Sequence, residues 1–204
     1  MSNWNVPADE RRFRWVTWIT TSRIPMSIVF AIVVAVSDAR AWPITLALLI
    51  LLTLIEISDG LDGHLARKWS VRSEWGAMLD PYSDSVSRLI VYFGLGQTGL
   101  VHPVLVLIMA LRDVSVSYCR ILLTQSGRSV AAMLSGKIKA VVQAVGAYAA
   151  LLSLHLPLLT QNARAPEIVR WTITIVVGLV TLWSVGQYAQ AAFATLGSND
   201  GDTQ

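Results

Sequence analysis

The sequence predicts an all-α integral membrane protein with six transmembrane helices, preceded by an interfacial amphipathic helix. Hydrophobic residues make up 54% of the 204 residues and charged residues only 14%, and the mean hydropathy is +0.55. Soluble globular domains are more charged and less apolar than this. Apolar runs of about 20 residues, the length that crosses a bilayer as a helix, recur between short polar stretches. We therefore predict one domain over residues 1–204, with no separate soluble part.

The N-terminal segment, residues 1–16, is predicted to be the interfacial helix. Its sequence, MSNWNVPADERRFRWV, places Arg11, Arg12 and Arg14 among aromatic residues, a mixture that suits the headgroup region of a bilayer. The segment is too long and too acidic for the first part of a cleavable signal peptide, and no small-residue cleavage site follows the next apolar run.

Six apolar runs bounded by charge, proline or glycine follow this segment. Their limits are near 18–37, 42–60, 77–97, 103–123, 137–158 and 169–193. The polar tail, residues 195–204, is predicted to be disordered. The single cysteine, Cys119, excludes an intramolecular disulfide and lies in an apolar context, as a small buried hydrophobic residue does.

Basic residues favour one side of the predicted membrane domain. The N-terminal segment and two connections on the same side hold most of them: Arg11, Arg12, Arg14, Arg67, Lys68, Arg72, Arg120, Arg128, Lys137 and Lys139. The positive-inside rule then places both termini in the cytoplasm. This topology explains the net charge of +3, and no basic run with interleaved aromatics indicates a nucleic-acid partner.

Carboxylates follow the second apolar run and lie within the third. Asp59 and Asp62 are spaced i,i+3, and Asp80 and Asp84 are spaced i,i+4, so each pair shares one face of a helix. A short connection makes these helices antiparallel neighbours, which brings four carboxylates together. Unpaired carboxylates near a bilayer are costly, and hard divalent cations neutralise them with oxygen ligands. Two such ions suit a substrate that carries phosphates.

Two non-catalytic interpretations of these acids compete with the two-cation site. They can form a solvated helix end that pairs with Arg67, Arg72 and Arg88, or line the cation pathway of a transporter in which Glu56 continues the series. A transport pathway needs polar groups at the bilayer midplane, whereas these acids cluster near one interface. Glu56 is expected to pair with a basic side chain in the bundle.

One motif resembles, at every specified position, the signature of the CDP-alcohol phosphotransferase family: Asp59-x2-Asp62-Gly63-x2-Ala66-Arg67-x8-Gly76-x3-Asp80-x3-Asp84. Members of this family transfer a phosphatidyl or similar group from a CDP-linked lipid to an alcohol and release CMP. The motif itself is short, but the six-span plan extends the resemblance over almost the whole chain. An inactive homologue is disfavoured because the signature is intact.

The resemblance implies a role for each acid. It implies that Asp59, Asp62 and Asp80 ligate two divalent cations, Mg²⁺ or Mn²⁺. It implies that Asp84 lies close to one of these ions and acts as general base on the acceptor hydroxyl. The active site is then expected at the cytoplasmic face of a bacterial inner membrane, where lipid tails stay in the bilayer and soluble substrates arrive from water.

The resemblance also implies a nucleotide site. CDP contacts are implied at Gly63, Arg67 and the hydroxyl of Ser73, while Ala66 and Gly76 leave space for the nucleotide. A homodimer is implied by the resemblance alone.

Within the family, the chain is most similar to the phosphatidylglycerophosphate synthase branch. TTSRIP, with Thr20 and Arg23, resembles the start of the first span in that branch, where the pattern usually begins with Pro-Asn; Val16 and Thr17 replace that pair here. LRDVSVSYCR and SGKIKAVVQ also resemble that branch. The expected substrates are CDP-diacylglycerol and glycerol 3-phosphate.

Four basic side chains are interpreted as a pocket for the acceptor phosphate. They are Arg112, Arg120, Lys137 and Lys139. The alternative is that Lys137 and Lys139 only obey the positive-inside rule and that Arg112 pairs with Asp113 or another carboxylate.

The acceptor itself is left open by two departures from the branch. Ser83 and Ser85 stand where Ala and Lys are more usual. Inositol phosphate is the nearest rival to glycerol 3-phosphate because it also needs a basic phosphate pocket, whereas serine or a neutral amino alcohol needs fewer cations.

Overall fold

The described part of the chain is helical, as the sequence predicts. The computed structural model describes residues 9–71, 73–125 and 134–199, and no strand occurs within these ranges. The helices are α1 (Glu10–Val36), α2 (Trp42–Lys68), α3 (Glu74–Gln97), α4 (Pro103–Gln125), α5 (Leu134–Leu152), α6 (Leu156–Thr160) and α7 (Ala165–Asn199), with a 3-10 segment, Ser153–His155, between α5 and α6.

Four helical segments are long and apolar enough to cross a membrane, which makes this an integral membrane protein. They are Glu10–Val36, Trp42–Lys68, Leu134–Thr160 and Ala165–Phe193. The sequence predicts six spans, but four segments of the described chain meet the requirements of length and apolar composition. Helices α3 and α4 have 24 and 23 residues, a sufficient length. Both helices carry several ionisable residues, which are unfavourable in a membrane span.

The two ends of the described chain differ from the sequence prediction. Asp9 caps α1 by accepting from the backbone N of Arg12 at 3.1 Å, and the helix then runs without a break from Glu10 to Val36. Residues 10–16 therefore begin α1 and are not a separate interfacial helix. At the other end, α7 continues to Asn199, so the prediction of disorder over 195–204 is wrong for 195–199. Residues 1–8, Arg72, Arg128 and 200–204 lie outside the described residues.

The chain forms two compact units, one up to Thr98 and one from Gly99. In the first unit, α1 packs against both α2 and α3. Buried apolar side chains from the three helices fill the interior, including Phe30, Leu52 and Leu95. Gly94 allows α3 to approach α1 closely, because an added Cβ would lie 2.8 Å from the Cα of Ala31.

This packing corrects the predicted pairing of the second and third helices. In the described residues, α2 and α3 approach each other much less closely than either approaches α1. A short connection favours antiparallel neighbours, but it does not prevent both helices from packing on a third. Here both helices pack on α1, and the acids of α2 and α3 meet around side chains that bridge the helices.

In the second unit, α7 packs against α4 and α5. Leu105, Met109, Ala150 and Leu151 are fully buried there. Large apolar side chains on the outer surfaces of both units are exposed, among them Ile32, Leu54, Leu107, Val141 and Leu179. Exposed residues of this kind suit contact with lipid acyl chains.

Candidate active site

The α2 and α3 helices carry the four aspartates of the motif. Helix α2 continues to Lys68, well past the predicted end at residue 60, so Asp59 and Asp62 lie on a regular helix and share a face. Helix α3 starts after Ser73, whose hydroxyl accepts from the backbone N of Gly76 at 3.0 Å. This cap places Asp80 and Asp84 on the next turns of α3, one turn apart.

Arg23 of α1 gathers three of these aspartates. Its side chain is 1% exposed, and its guanidinium pairs with Asp59, with Asp62 at 2.9 Å and with Asp80 at 2.9 Å. Thr20 adds a 2.8 Å hydrogen bond from Oγ1 to Oδ2 of Asp62. The TTSRIP segment thus supplies the side chains that link α1 to the acids of both other helices.

The fourth aspartate, Asp84, forms an ion pair with a second arginine, Arg88. Arg88 Nη2 lies 2.8 Å from Oδ1 of Asp84, and Arg88 Nη1 lies 3.3 Å from Oε1 of Glu56. The expectation that Glu56 pairs with a basic side chain is confirmed. The sequence alone indicates Arg88 only as a partner of a solvated helix end, whereas its side chain is 7% exposed.

The donor set fits a hard divalent cation by its chemistry. Asp59, Asp62 and Asp80 offer carboxylate oxygens, the ligands that Mg²⁺ and Mn²⁺ prefer. Each contacts Arg23 through one oxygen, and a carboxylate has lone pairs on two. Within the described ranges, no three His, Cys, Asp or Glu side chains are arranged to enclose an ion. The Arg23 guanidinium lies among the three carboxylates. To hold an ion, the carboxylates must therefore turn toward the ion.

A cavity beside these acids has the predicted nucleotide positions in its wall. Its volume is about 360 Å³, and its lining includes Thr20, Asp62, Gly63, Ala66, Arg67, Ser73, Gly76 and Asp80. The structure therefore brings together all five residues to which the resemblance assigns nucleotide contact or space. Val16 and Thr17, which replace the usual Pro-Asn pair, also line the cavity. Its size suits part of a nucleotide ligand.

Small residues and one arginine shape this cavity. A Cβ added at Gly76 would lie 3.3 Å from Oγ of Ser73, a tight contact with the residue that caps α3. Arg67 is exposed and makes no ion pair with another described residue, so its guanidinium is available to a phosphate.

The predicted acceptor pocket lies in the second unit, and the structure assembles three of its four cations. Arg112 Nη1 and Lys139 Nζ lie 2.7 Å and 3.1 Å from the same oxygen of Asp113. Arg120 Nη2 lies 3.1 Å from the hydroxyl of Tyr188, and both arginines lie over the Tyr188 ring. Lys137 is exposed, while Lys139 is buried.

This arrangement includes the pair that the alternative interpretation expected. Arg112 does pair with Asp113, and Ser184 Oγ accepts from Arg112 Nε at 2.9 Å. Asp113 therefore neutralises part of the local positive charge. A phosphate pocket formed by these cations remains a prediction.

Sequence comparisons agree with the motif. The family model for CDP-alcohol phosphatidyltransferase matches residues 16–183, which include all four aspartates. The chain is 38% identical over 90 residues to a CDP-diacylglycerol–glycerol-3-phosphate 3-phosphatidyltransferase of Mycoplasma genitalium, a match that covers 44% of this chain and 38% of that protein. A Mycoplasma pneumoniae protein of the same name is 29% identical, over 69% of this chain and 63% of its own length.

A third relative matches over a larger share of its own length. The Bacillus subtilis protein of the same name is 31% identical over 148 residues, which are 68% of this chain and 76% of that protein. The family match over most of the chain, with the complete aspartate motif inside it, shows that this protein belongs to the CDP-alcohol phosphatidyltransferase family.

Proposed function

We propose that the protein transfers a phosphatidyl group from CDP-diacylglycerol to glycerol 3-phosphate and releases CMP. The observation that carries this proposal is the juxtaposition of the motif aspartates with a cavity of about 360 Å³ whose wall holds the five nucleotide positions. The relatives named for this reaction support the choice of acceptor.

The reaction forms one phosphorus–oxygen bond and breaks another. The acceptor hydroxyl oxygen attacks the phosphorus that carries the diacylglycerol, and the bond from that phosphorus to CMP breaks. The hydroxyl proton passes to Asp84, the proposed general base. Asp84 is about one-third exposed, with 29% of its side chain accessible, so a soluble acceptor can reach it.

The nucleotide is held by the cavity. Arg67 is placed to offer a planar fork to the diphosphate, and Ser73 to offer its hydroxyl. The wall is small-sided at Gly63, Ala66 and Gly76, so the nucleotide can approach the backbone there. Thr20 and Arg23 complete the site from α1 by holding Asp62.

Asp59, Asp62 and Asp80 would hold two divalent cations, Mg²⁺ or Mn²⁺, with Asp84 close to one. When bound, the ions supply positive charge that polarises the diphosphate and neutralises the leaving CMP. When ionised, the five acids Glu56, Asp59, Asp62, Asp80 and Asp84 carry five negative charges against the two positive charges of Arg23 and Arg88, the arginines that pair with them. This excess of three negative charges favours cation binding.

The acceptor phosphate is proposed to bind the basic residues of the second unit. Asp113 contacts Arg112 and Lys139 there, and Tyr188 contacts Arg120. Exposed Lys137 adds a fourth positive charge. Inositol phosphate is the alternative acceptor because the same cations suit it.

The membrane arrangement is part of the proposal. Helices α3 and α4 complete six spans in a single domain, both termini face the cytoplasm, and the active site lies at that face of a bacterial inner membrane. The family resemblance further suggests a homodimer.

The experiment that tests the function is CMP release by purified protein in detergent, with CDP-diacylglycerol, Mg²⁺ and one acceptor at a time. Glycerol 3-phosphate, inositol phosphate, inositol and serine are compared. We expect release with glycerol 3-phosphate alone, and none from Asp84→Asn. Release with a different acceptor would keep the chemistry and reject the substrate. No release with any of the four, from folded protein, would reject the proposed function.

A further inference from the structure

Arg88 is held from two sides by carboxylates of two helices. Its side chain is 7% exposed. Nη2 and Nε lie 2.8 Å and 3.3 Å from Oδ1 of Asp84, and Nη1 lies 3.3 Å from Oε1 of Glu56. Asp84 lies one turn before Arg88 on α3, while Glu56 is on α2. The guanidinium therefore joins the proposed base to a fixed point on another helix.

We propose that Arg88, anchored by Glu56, is the positioning residue that holds the Asp84 carboxylate for proton removal from the acceptor. This inference rests on the proposed function, because it needs Asp84 to be the base. Neither Arg88 nor Glu56 belongs to the eight-residue motif, so the motif alone assigns them no part in the reaction.

The geometry explains why a guanidinium suits this task. An aspartate on a helix surface exchanges among rotamers, and small misplacement of a base slows proton transfer strongly. Two N–H groups of one rigid, planar guanidinium contact the same Asp84 oxygen, which restricts rotation of the carboxylate. Burial of Arg88 protects these hydrogen bonds from competition with water.

Glu56 has a separate part in the arrangement. Arg88 and Asp84 are four residues apart on one helix, a pair that exposed helices form and break readily. The contact with Glu56 fixes the guanidinium from α2 and shares its charge between two acids. Through its hydrogen bond with Arg88, Glu56 therefore helps to position Asp84.

The two buried arginines divide the acids of the site. Arg23 contacts Asp59, Asp62 and Asp80, the three proposed metal ligands. Arg88 contacts Asp84 and Glu56. Loss of Arg88 is expected to change turnover while metal binding is retained.

The test compares Arg88→Gln, Arg88→Lys, Glu56→Gln and the double variant Glu56→Gln/Arg88→Gln. Ser87→Ala is the matched control: Ser87 is buried next to Arg88 in the sequence, and among the described residues its hydroxyl donates one hydrogen bond, to the backbone oxygen of Asp84 at 3.2 Å. For each protein, kcat and both KM values are measured from CMP release. Mn²⁺ affinity is measured by electron paramagnetic resonance, and folding by thermal unfolding in detergent.

We expect Arg88→Gln to lower kcat by about tenfold to a hundredfold, with both KM values and the Mn²⁺ affinity within about twofold of wild type. Lysine keeps the positive charge but lacks the planar guanidinium, so kcat of Arg88→Lys should lie between those of Arg88→Gln and wild type. Glu56→Gln lowers kcat less than Arg88→Gln does, and the double variant is no slower than Arg88→Gln alone, because Glu56 acts through Arg88.

Three outcomes would overturn the inference: unchanged kcat in Arg88→Gln, loss of Mn²⁺ binding together with kcat, or fully additive losses in the double variant. If Arg88→Gln does not fold, an unchanged kcat in both Arg88→Lys and Glu56→Gln overturns it instead. A wild-type protein without CMP release rejects the proposed function as well. Active wild type, inactive Asp84→Asn and normal Arg88→Gln together reject only this inference.

Discussion

Arg23 and Asp62 form a buried ion pair that joins α1 to α2. Nη2 of Arg23 and Oδ2 of Asp62 are 2.9 Å apart, and the two side chains are 1% and 2% exposed. Water screens such a pair little, and removal of one partner leaves the other charge buried. The same nitrogen lies 2.9 Å from Asp80 on α3, so Arg23 connects all three helices of the first unit.

Replacement of Arg23 is therefore expected to destabilise the first unit. Arg23→Met should lower the free energy of unfolding by about 3–5 kcal/mol, the usual cost of breaking a buried pair. Thermal unfolding in detergent measures the change. Arg12→Met is the control, because Arg12 pairs with Asp9 at an exposed position and its loss should cost at most about 1 kcal/mol. Equal effects of the two substitutions would contradict a structural role for Arg23.

The proposed metal site makes a second prediction. Asp59→Asn and Asp80→Asn should each weaken Mn²⁺ binding by roughly tenfold or more, since each removes a charged oxygen ligand. Removal of divalent ions with a chelator should stop CMP release, and added Mg²⁺ should restore it. Mn²⁺ affinity and CMP release are measured on the same protein samples.

Asp38→Asn is the control for this prediction. Asp38 carries the same charge, but its described side-chain contact is with the backbone N of Arg40 at 3.1 Å. Its replacement should leave Mn²⁺ affinity unchanged. Retention of normal affinity in both Asp59→Asn and Asp80→Asn would argue against these residues as ligands.

The placement of each aspartate pair on one helix face could be predicted from the sequence because helical periodicity is local. Spacings of three and four residues put each pair on one face of a helix, and α2 and α3 are continuous there. The packing of α1 against both of these helices could not be predicted in the same way. It depends on which apolar faces fit best, and contacts such as Arg23 with Asp80 link residues far apart in the chain.

The number of membrane spans was harder to predict for a related reason. Arg88 and Asp113 reduce the hydropathy of α3 and α4, although both side chains are buried against oppositely charged partners. Counting apolar runs by their length leads to six spans because these charges receive too little weight, whereas four helical segments in the described part of the chain are both long and apolar enough. The extension of α7 into residues 195–199 was missed because small and polar residues there indicate disorder when local composition alone is considered.

The cavity wall gives a third prediction through Gly76. In Gly76→Ala, the new Cβ would lie 3.3 Å from Oγ of Ser73 and press on the cap of α3. We expect a higher KM for CDP-diacylglycerol, by a factor of about three to ten, and a loss of about 0.5–2 kcal/mol in stability from the weakened cap. CMP release and thermal unfolding measure the two effects.

Gly60→Ala is the matched control, because an added Cβ at Gly60 meets no atom within 4 Å. Alanine also favours a helix over glycine, so this variant should keep the wild-type KM and unfold at an equal or higher temperature. A normal KM in Gly76→Ala would argue that the nucleotide does not approach this part of the wall.

The two lysines of α5 give the last prediction, since the structure separates their roles. Lys139 is buried and lies 3.1 Å from Asp113, so Lys139→Ala should lower the unfolding temperature by leaving part of the Asp113 charge without its partner. Exposed Lys137 has no such structural contact in the described residues, and Lys137→Ala should raise the KM for glycerol 3-phosphate by a factor of about three to ten without changing stability. Exposed Lys68 on α2 is the control, and Lys68→Ala should leave the acceptor KM unchanged. An unchanged acceptor KM in Lys137→Ala would remove Lys137 from the phosphate pocket and support the interpretation that it only sets membrane orientation.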